Sequence, residues 1–136
     1  MSITKILIRP YHCDSYGHVN HARYLEFFEE ARWSAISSVE TDNYLAGNSL
    51  SLVVVNINVD YKRPLFPGDL AAIKTILYEY GNSSFTVHQE MTNQENNICC
   101  KAVVKLVVIE NASGRPHRIL EKFKQLIEDV IQQKTQ

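Results

Sequence analysis

A chain of 136 residues suits one domain with one sizeable core, and 45% hydrophobic with 21% charged residues is ordinary for a globular protein. A net charge of −1 gives no reason to expect a general nucleic-acid or membrane-surface binder, and no apolar run approaches the roughly 20 residues that span a bilayer. Cys13 and the adjacent pair Cys99 and Cys100 make no disulfide framework; with no signal-peptide pattern after Met1, the expected location is a reducing cytoplasm.

Ile3 to Arg9 alternates in part and reads as a short strand, stopped by Pro10. Pro10 to Asn20 reads as a loop containing Gly17, with Asn20 as the N-cap of a helix. From His21 to about Val39, Leu25, Phe28, Ala31, Ala35, Ile36 and Val39 recur at helical spacing. Tyr24, Phe27 and Trp33 widen the apolar face, so this helix is expected to be largely buried. Arg23, Glu26, Glu30 and Ser34 form its narrow wet side.

After Gly47 the period changes to two. Val53, Val55, Ile57, Val59 and Tyr61 alternate with Val54, Asn56, Asn58 and Asp60 as a half-buried strand, ended by Pro64, Pro67 and Gly68. Leu70 to Tyr80 reads as a strand, Gly81-Asn82-Ser83 as a tight turn, and Ser84 to Thr92 as the next strand. A turn at Asn93 to Asn97 leads into a long strand, Ile98 to Ile109, closed by Asn111 to Gly114. Ile119, Leu120, Phe123, Leu126, Ile127, Val130 and Ile131 mark a C-terminal amphipathic helix. The order predicts an α+β fold: one long central helix wrapped by a curved antiparallel sheet of meander-like strands, plus a C-terminal helix. A single sheet this apolar has a second face and two edges to cover, so an oligomer is expected.

The chemistry concentrates just before the central helix. Asp14 lies in a turn-rich segment ahead of a helix N-terminus, whose unpaired N–H groups and partial positive charge polarise a carbonyl oxygen. A carboxylate facing such donors can attack the carbonyl carbon or activate water against it. Read blandly, Asp14 is a turn residue or a helix cap. His12, His18 and His21 beside Asp14 invite a metal site, but histidines at these positions in a loop lack the i, i+4 spacing of a helical zinc motif, and no metal is expected. Cys99 and Cys100, adjacent on a strand, point to opposite faces and share no ligand.

The segment from Asp14 through Gly17, Asn20 and Tyr24-Leu25 to Phe28-Glu29-Glu30-Ala31-Arg32 resembles the signature of hotdog-fold acyl-CoA thioesterases of the 4-hydroxybenzoyl-CoA thioesterase-like branch. Val59-Asp60-Tyr61-Lys62-Arg63-Pro64 running to Gly68-Asp69 is similar to a second segment of that family, and Gly81-Asn82-Ser83-Ser84-Phe85 to a third. In one respect the chain departs: some members carry an acidic residue two positions before the reactive Asp, where this chain has His12.

The resemblance implies a hotdog fold over residues 1–136 and hydrolysis of an acyl-CoA to a free acid and coenzyme A. It implies Asp14 as the catalytic carboxylate, nucleophile or general base, and the backbone N–H at His21 as the donor to the thioester oxygen. Gly17, His18, Asn20 and Tyr24 are the candidate substrate-binding residues around it; equally, Gly17 serves a plain turn, Asn20 a cap and Tyr24 the core. Lys62, Arg63 and the Ser83-Ser84 turn are candidates for the coenzyme A phosphates, against a solvated charge pair and an ordinary hairpin. Glu29 falls in the structural half of the motif and is expected in a buried ion pair or hydrogen bond. No cofactor is implied, since coenzyme A belongs to the substrate. The implied assembly is a homodimer or a dimer-of-dimers tetramer, with no nucleic-acid or membrane partner. An acyl-carrier-protein thioesterase, a dehydratase built on His12 or His18, and a non-catalytic acyl-CoA-binding domain are the alternatives.

Overall fold

A computed structural model describes residues 2–133. Five strands form one antiparallel sheet: β1 (Ser2–Leu7), β2 (Leu50–Tyr61), β3 (Leu70–Tyr80), β4 (Ser84–Thr92) and β5 (Ile98–Glu110). Their spatial order is β1-β3-β4-β5-β2. Only β3, β4 and β5 form a meander. β2 crosses to pair with β5, Ile57 opposite Val104 and Tyr61 opposite Cys100, which leaves β1 and β2 as the two edges. Register shifts at Val54/Asn56, Leu77/Glu79 and Met91/Thr92 mark bulges, which increase local twist and bend the sheet.

Helix α1 (His21–Ile36) packs on the inner face. Asn20 starts it as expected, its side chain accepting from the Ala22 N–H at 2.9 Å. Tyr24, Phe27, Phe28, Ala31, Ala35 and Ile36 are buried along its sheet-facing stripe. They meet Phe85, Val87 and Met91 of β4 and Ala102, Val104, Leu106 and Val108 of β5 in one hydrophobic core. Phe28 is fully enclosed, and truncating such a residue to Ala costs about 3–5 kcal/mol through lost transfer energy and an unfilled cavity. This is the hotdog arrangement implied by the resemblance.

The helix is shorter than its periodicity suggests. It ends at Ser37, and a second helix, α2 (Val39–Gly47), begins at once. Ser38 and Thr41 cap each other there: the Thr41 N–H donates to Ser38 Oγ at 3.0 Å and the Ser38 N–H to Thr41 Oγ1 at 2.9 Å. Helix α3 (Glu121–Gln133) lays Phe123, Ile127, Val130 and Ile131 onto the core, with Tyr44 of α2 stacked on Phe123 at 5.2 Å.

Three side chains of α1 lie otherwise than the sequence suggests, Leu25 among them, which is exposed rather than on the buried stripe. Trp33 is 62% exposed, because its position falls beyond the sheet-facing stripe. Glu29 is exposed and accepts from Trp33 Nε1; it makes no buried ion pair. The buried charge is Arg32, whose guanidinium donates to Gln89 Oε1 at 3.1 Å. Gln89 in turn donates to the Phe28 carbonyl and to Thr75 Oγ1, closing a polar network beneath the helix. Cys99 and Cys100 are both fully buried free thiols.

Candidate active site

The loop before α1 is a small closed structure. Cys13 bridges to Val19, the Asp14 N–H donates to the His18 carbonyl at 3.1 Å, and the Gly17 N–H returns to the Asp14 carbonyl at 3.0 Å. Gly17 sits at φ +86°, a conformation that glycine adopts without the Cβ penalty. The Asp14 side chain is fixed within this turn: Oδ1 accepts from the Tyr16 N–H at 2.9 Å. Its second oxygen accepts from no described residue. The loop is anchored to the β2–β3 connection by the Val19 N–H on the Leu65 carbonyl and to its own start by the Asn20 N–H on the His12 carbonyl.

An open cavity of about 400 Å³ lies at this point, lined by Asp14, His18, His21, Tyr24, Tyr61, Lys62 and Arg63. The first turn of α1, the loop before it and the end of β2 therefore converge. His21 opens the helix, and no described acceptor engages its N–H; Ala22 and Arg23 have theirs on Asn20. A free backbone donor thus stands in the same cavity as a held carboxylate. Such a donor, aimed where negative charge develops, is worth on the order of 10²–10³ in rate.

Tyr24 is 4% exposed and serves both core and site. Its oxygen accepts from the Leu65 N–H at 3.3 Å, and burial pushes its phenol up to about 12, so it stays neutral and keeps its own proton to donate. Tyr61, which the sequence places on a strand and in the second family-like segment but not among the site residues, donates from its hydroxyl to the His21 carbonyl at 2.9 Å and sets its ring edge-on to Tyr24. Its signal was its place at the strand end just before Lys62-Arg63-Pro64.

His12, the position at which the sequence departs from the resembled family pattern, is held by its neighbours. Its Nδ1 accepts from the Arg9 N–H at 2.9 Å and its ring lies edge-on to Phe27. Burial, with help from the Arg23 charge, lowers its pKa below the usual value. Asn20 lies one residue outside the helix as its cap. The turn at Ser83 and Ser84 lies apart from this cavity. Ser84 pairs with Val107, seven residues along β5 from the Cys100 that faces Tyr61, a separation of about 24 Å at strand rise.

Comparison with known proteins gives this geometry its place. The sequence profile of the thioesterase-like superfamily matches residues 8–127, and the chain belongs to that superfamily. It is a hydrolase of the acyl-CoA thioesterase class. Among curated proteins it is 33% identical over 129 residues to the long-chain acyl-CoA thioesterase FadM of Escherichia coli, covering 94% of this chain and 98% of that one. It is 27% identical to a 1,4-dihydroxy-2-naphthoyl-CoA hydrolase of Nostoc punctiforme, over 85% of this chain and 78% of that one. The crystal structure of YbaW, a probable thioesterase from Escherichia coli, superposes with a TM-score of 0.89 at 32% identity, covering 96% of this chain and 99% of that one. No helix among the described residues is long and apolar enough to cross a membrane.

Proposed function

We propose that this chain hydrolyses an acyl-CoA thioester, with Asp14 as the reacting carboxylate and the His21 N–H as the donor to the thioester oxygen. The observation that carries the reading is one cavity holding a turn-fixed carboxylate and a free helix-start N–H. The carboxylate either attacks the carbonyl carbon or takes a proton from the water that does. Either way the C–S bond breaks, coenzyme A leaves as its thiolate and the acyl group ends as a carboxylic acid. No metal or cofactor takes part in this scheme. Tyr24 lines the acyl side, Gly17 and His18 shape the loop, and Asn20 holds the helix start. Lys62 and Arg63, both exposed at the mouth, meet the phosphates of coenzyme A.

We further infer a homodimer. β2 is an edge strand whose Val53, Val54, Val55 and Ile57 are 38–54% exposed, a surface that pairing with a second β2 would cover. In that assembly the Ser83-Ser84 turn of one copy lies at the end of the sheet nearer its partner's catalytic loop, which suits a second contact to coenzyme A. The outer sheet face, with Ile76, Tyr78 and Val103 exposed, offers the surface for two dimers to pack as a tetramer. Three free thiols, two of them buried, suit a reducing cytoplasm. The test is thiol release from a panel of acyl-CoAs spanning acetyl, decanoyl, palmitoyl and hydroxyaryl groups; turnover of at least one supports the reading, and turnover of none overturns it.

A further inference from the structure

The hydroxyl of Tyr24 belongs to the catalytic cavity and holds a proton with no taker. Its oxygen accepts from the Leu65 N–H at 3.3 Å. A phenol both accepts and donates, and among the described residues no acceptor engages the Tyr24 O–H. The side chain is buried, and a donor left unused in such a place calls for a partner. The bond to Leu65 fixes where the tip lies. Pro64, the residue before it, and Val19, whose N–H donates to the Leu65 carbonyl, both line the cavity with Asp14 and His21.

Two further relationships set this hydroxyl against the His21 N–H. A helical side chain leans toward the N-terminus of its helix, so Tyr24 reaches back over the first turn of α1, toward the end that His21 opens. Tyr61 touches both residues: its hydroxyl donates to the His21 carbonyl at 2.9 Å, and its ring stands edge-on to Tyr24 with centroids 5.3 Å apart. The helix start, the tyrosine one turn in and the end of β2 thus brace one another around two unused donors, one from the backbone and one from a side chain. A carbonyl oxygen has two lone pairs and accepts two donors, and the oxyanion it becomes accepts them more strongly.

We propose that the Tyr24 hydroxyl is the second donor to the thioester oxygen, so that the side chain of Tyr24 and the backbone of His21 together make a two-donor oxyanion site. The proposal rests on the thioesterase reading and adds a catalytic residue to it. As Asp14, or the water it activates, forms the new C–O bond, the carbonyl π pair moves onto oxygen and meets both donors. The pair then returns, the C–S bond breaks and coenzyme A leaves as its thiolate. Tyr24 keeps its proton throughout. Burial pushes its phenol up to about 12, whereas an ordinary thiol sits at about 8.5, so the phenol is too weak an acid to protonate the departing sulfur. It acts by hydrogen bonding alone. The Leu65 N–H assists, because a hydroxyl that accepts one hydrogen bond donates a stronger one.

Tyr24→Phe, which keeps the ring and removes the donor, tests this. On the fastest acyl-CoA of the panel it is expected to lower kcat about a hundredfold while KM stays within about threefold of wild type. S-decyl-CoA, a thioether without a carbonyl oxygen, should bind wild type and variant alike, which shows the fold and the rest of the site intact. Infrared spectra of decanoyl-CoA labelled with carbon-13 at the carbonyl read the contact itself. In Asp14→Asn, which holds the thioester unhydrolysed, adding Tyr24→Phe should move the bound carbonyl band to higher frequency. A kcat within about threefold of wild type, or a band that stays in place, overturns the proposal. Loss of thioether binding in Tyr24→Phe overturns it too, since the tyrosine then only holds the cavity wall through Leu65. If the wild type hydrolyses no acyl-CoA, the thioesterase reading fails, and the band of decanoyl-CoA on wild type against Tyr24→Phe still decides the contact. A rise in frequency supports the donor; no rise, or no bound band, overturns it.

Discussion

The hydroxyl of Tyr61 donates to the carbonyl oxygen of His21 at 2.9 Å, tying the last residue of β2 to the first residue of α1. The bond grips the residue whose N–H is the proposed oxyanion donor, and it joins elements forty positions apart in sequence. Tyr61→Phe removes it while keeping the ring contact with Tyr24. A neutral hydrogen bond is worth about 0.5–1.5 kcal/mol, so kcat should fall roughly three- to tenfold with little change in KM. Steady-state kinetics on one good substrate check this, and an unchanged kcat would remove Tyr61 from the positioning of the site.

His12 should make stability fall with acid. Burial holds its folded pKa below the usual 6.5, so the unfolded chain binds a proton that the folded chain resists. Its contribution is therefore fully present above about pH 6.5 and is lost as the pH drops through its folded pKa. His12→Gln keeps an acceptor for the Arg9 N–H without a titrating ring. The fall in Tm from pH 6.5 downward is expected to be shallower in this variant; parallel curves would show that His12 does not contribute.

The network beneath α1 should be expensive to break. Gln89→Leu leaves the Arg32 guanidinium, the Phe28 carbonyl and the Thr75 hydroxyl without their partner in a buried setting. A loss of about 2–4 kcal/mol is expected from urea denaturation. A loss under about 1 kcal/mol would mean that the site relaxes or admits water.

These three relationships differ in how far the sequence foretold them. The bounds of β3 and β4, the Asn20 cap and the Asp14 turn follow from local signals: alternation, a capping side chain, a glycine at positive φ. The reach of the second helix does not, because Val39–Gly47 is short and its cap pairs Ser38 with Thr41 where a Glu or Gln gives the clearer signal. Glu29 and Arg32 both sit near the apolar stripe, and periodicity alone does not choose between them. The choice is made by Gln89, fifty-seven residues on, a long-range partner with no local trace. The position of β2 at the sheet edge is equally silent in sequence, since it depends on a crossover rather than on a hairpin.

That edge carries a prediction of its own. Val55, 54% exposed beside the bulge of β2, lies where two copies are proposed to pair. Val55→Lys places like charges across the two-fold axis, an edge-blocking device. Sedimentation should show a shift toward monomer, with activity falling in step. A variant that remains dimeric and active would place the interface elsewhere.

The measurement that bears most directly on the whole account is thiol release by wild type and Asp14→Asn on the same acyl-CoA, with Tm recorded for both. The carboxamide keeps the Tyr16 turn contact but can neither attack as an anion nor take up a proton. The account predicts unchanged folding and a loss of at least about a hundredfold in kcat. Equal rates in the two proteins would contradict it and remove Asp14 from the reaction.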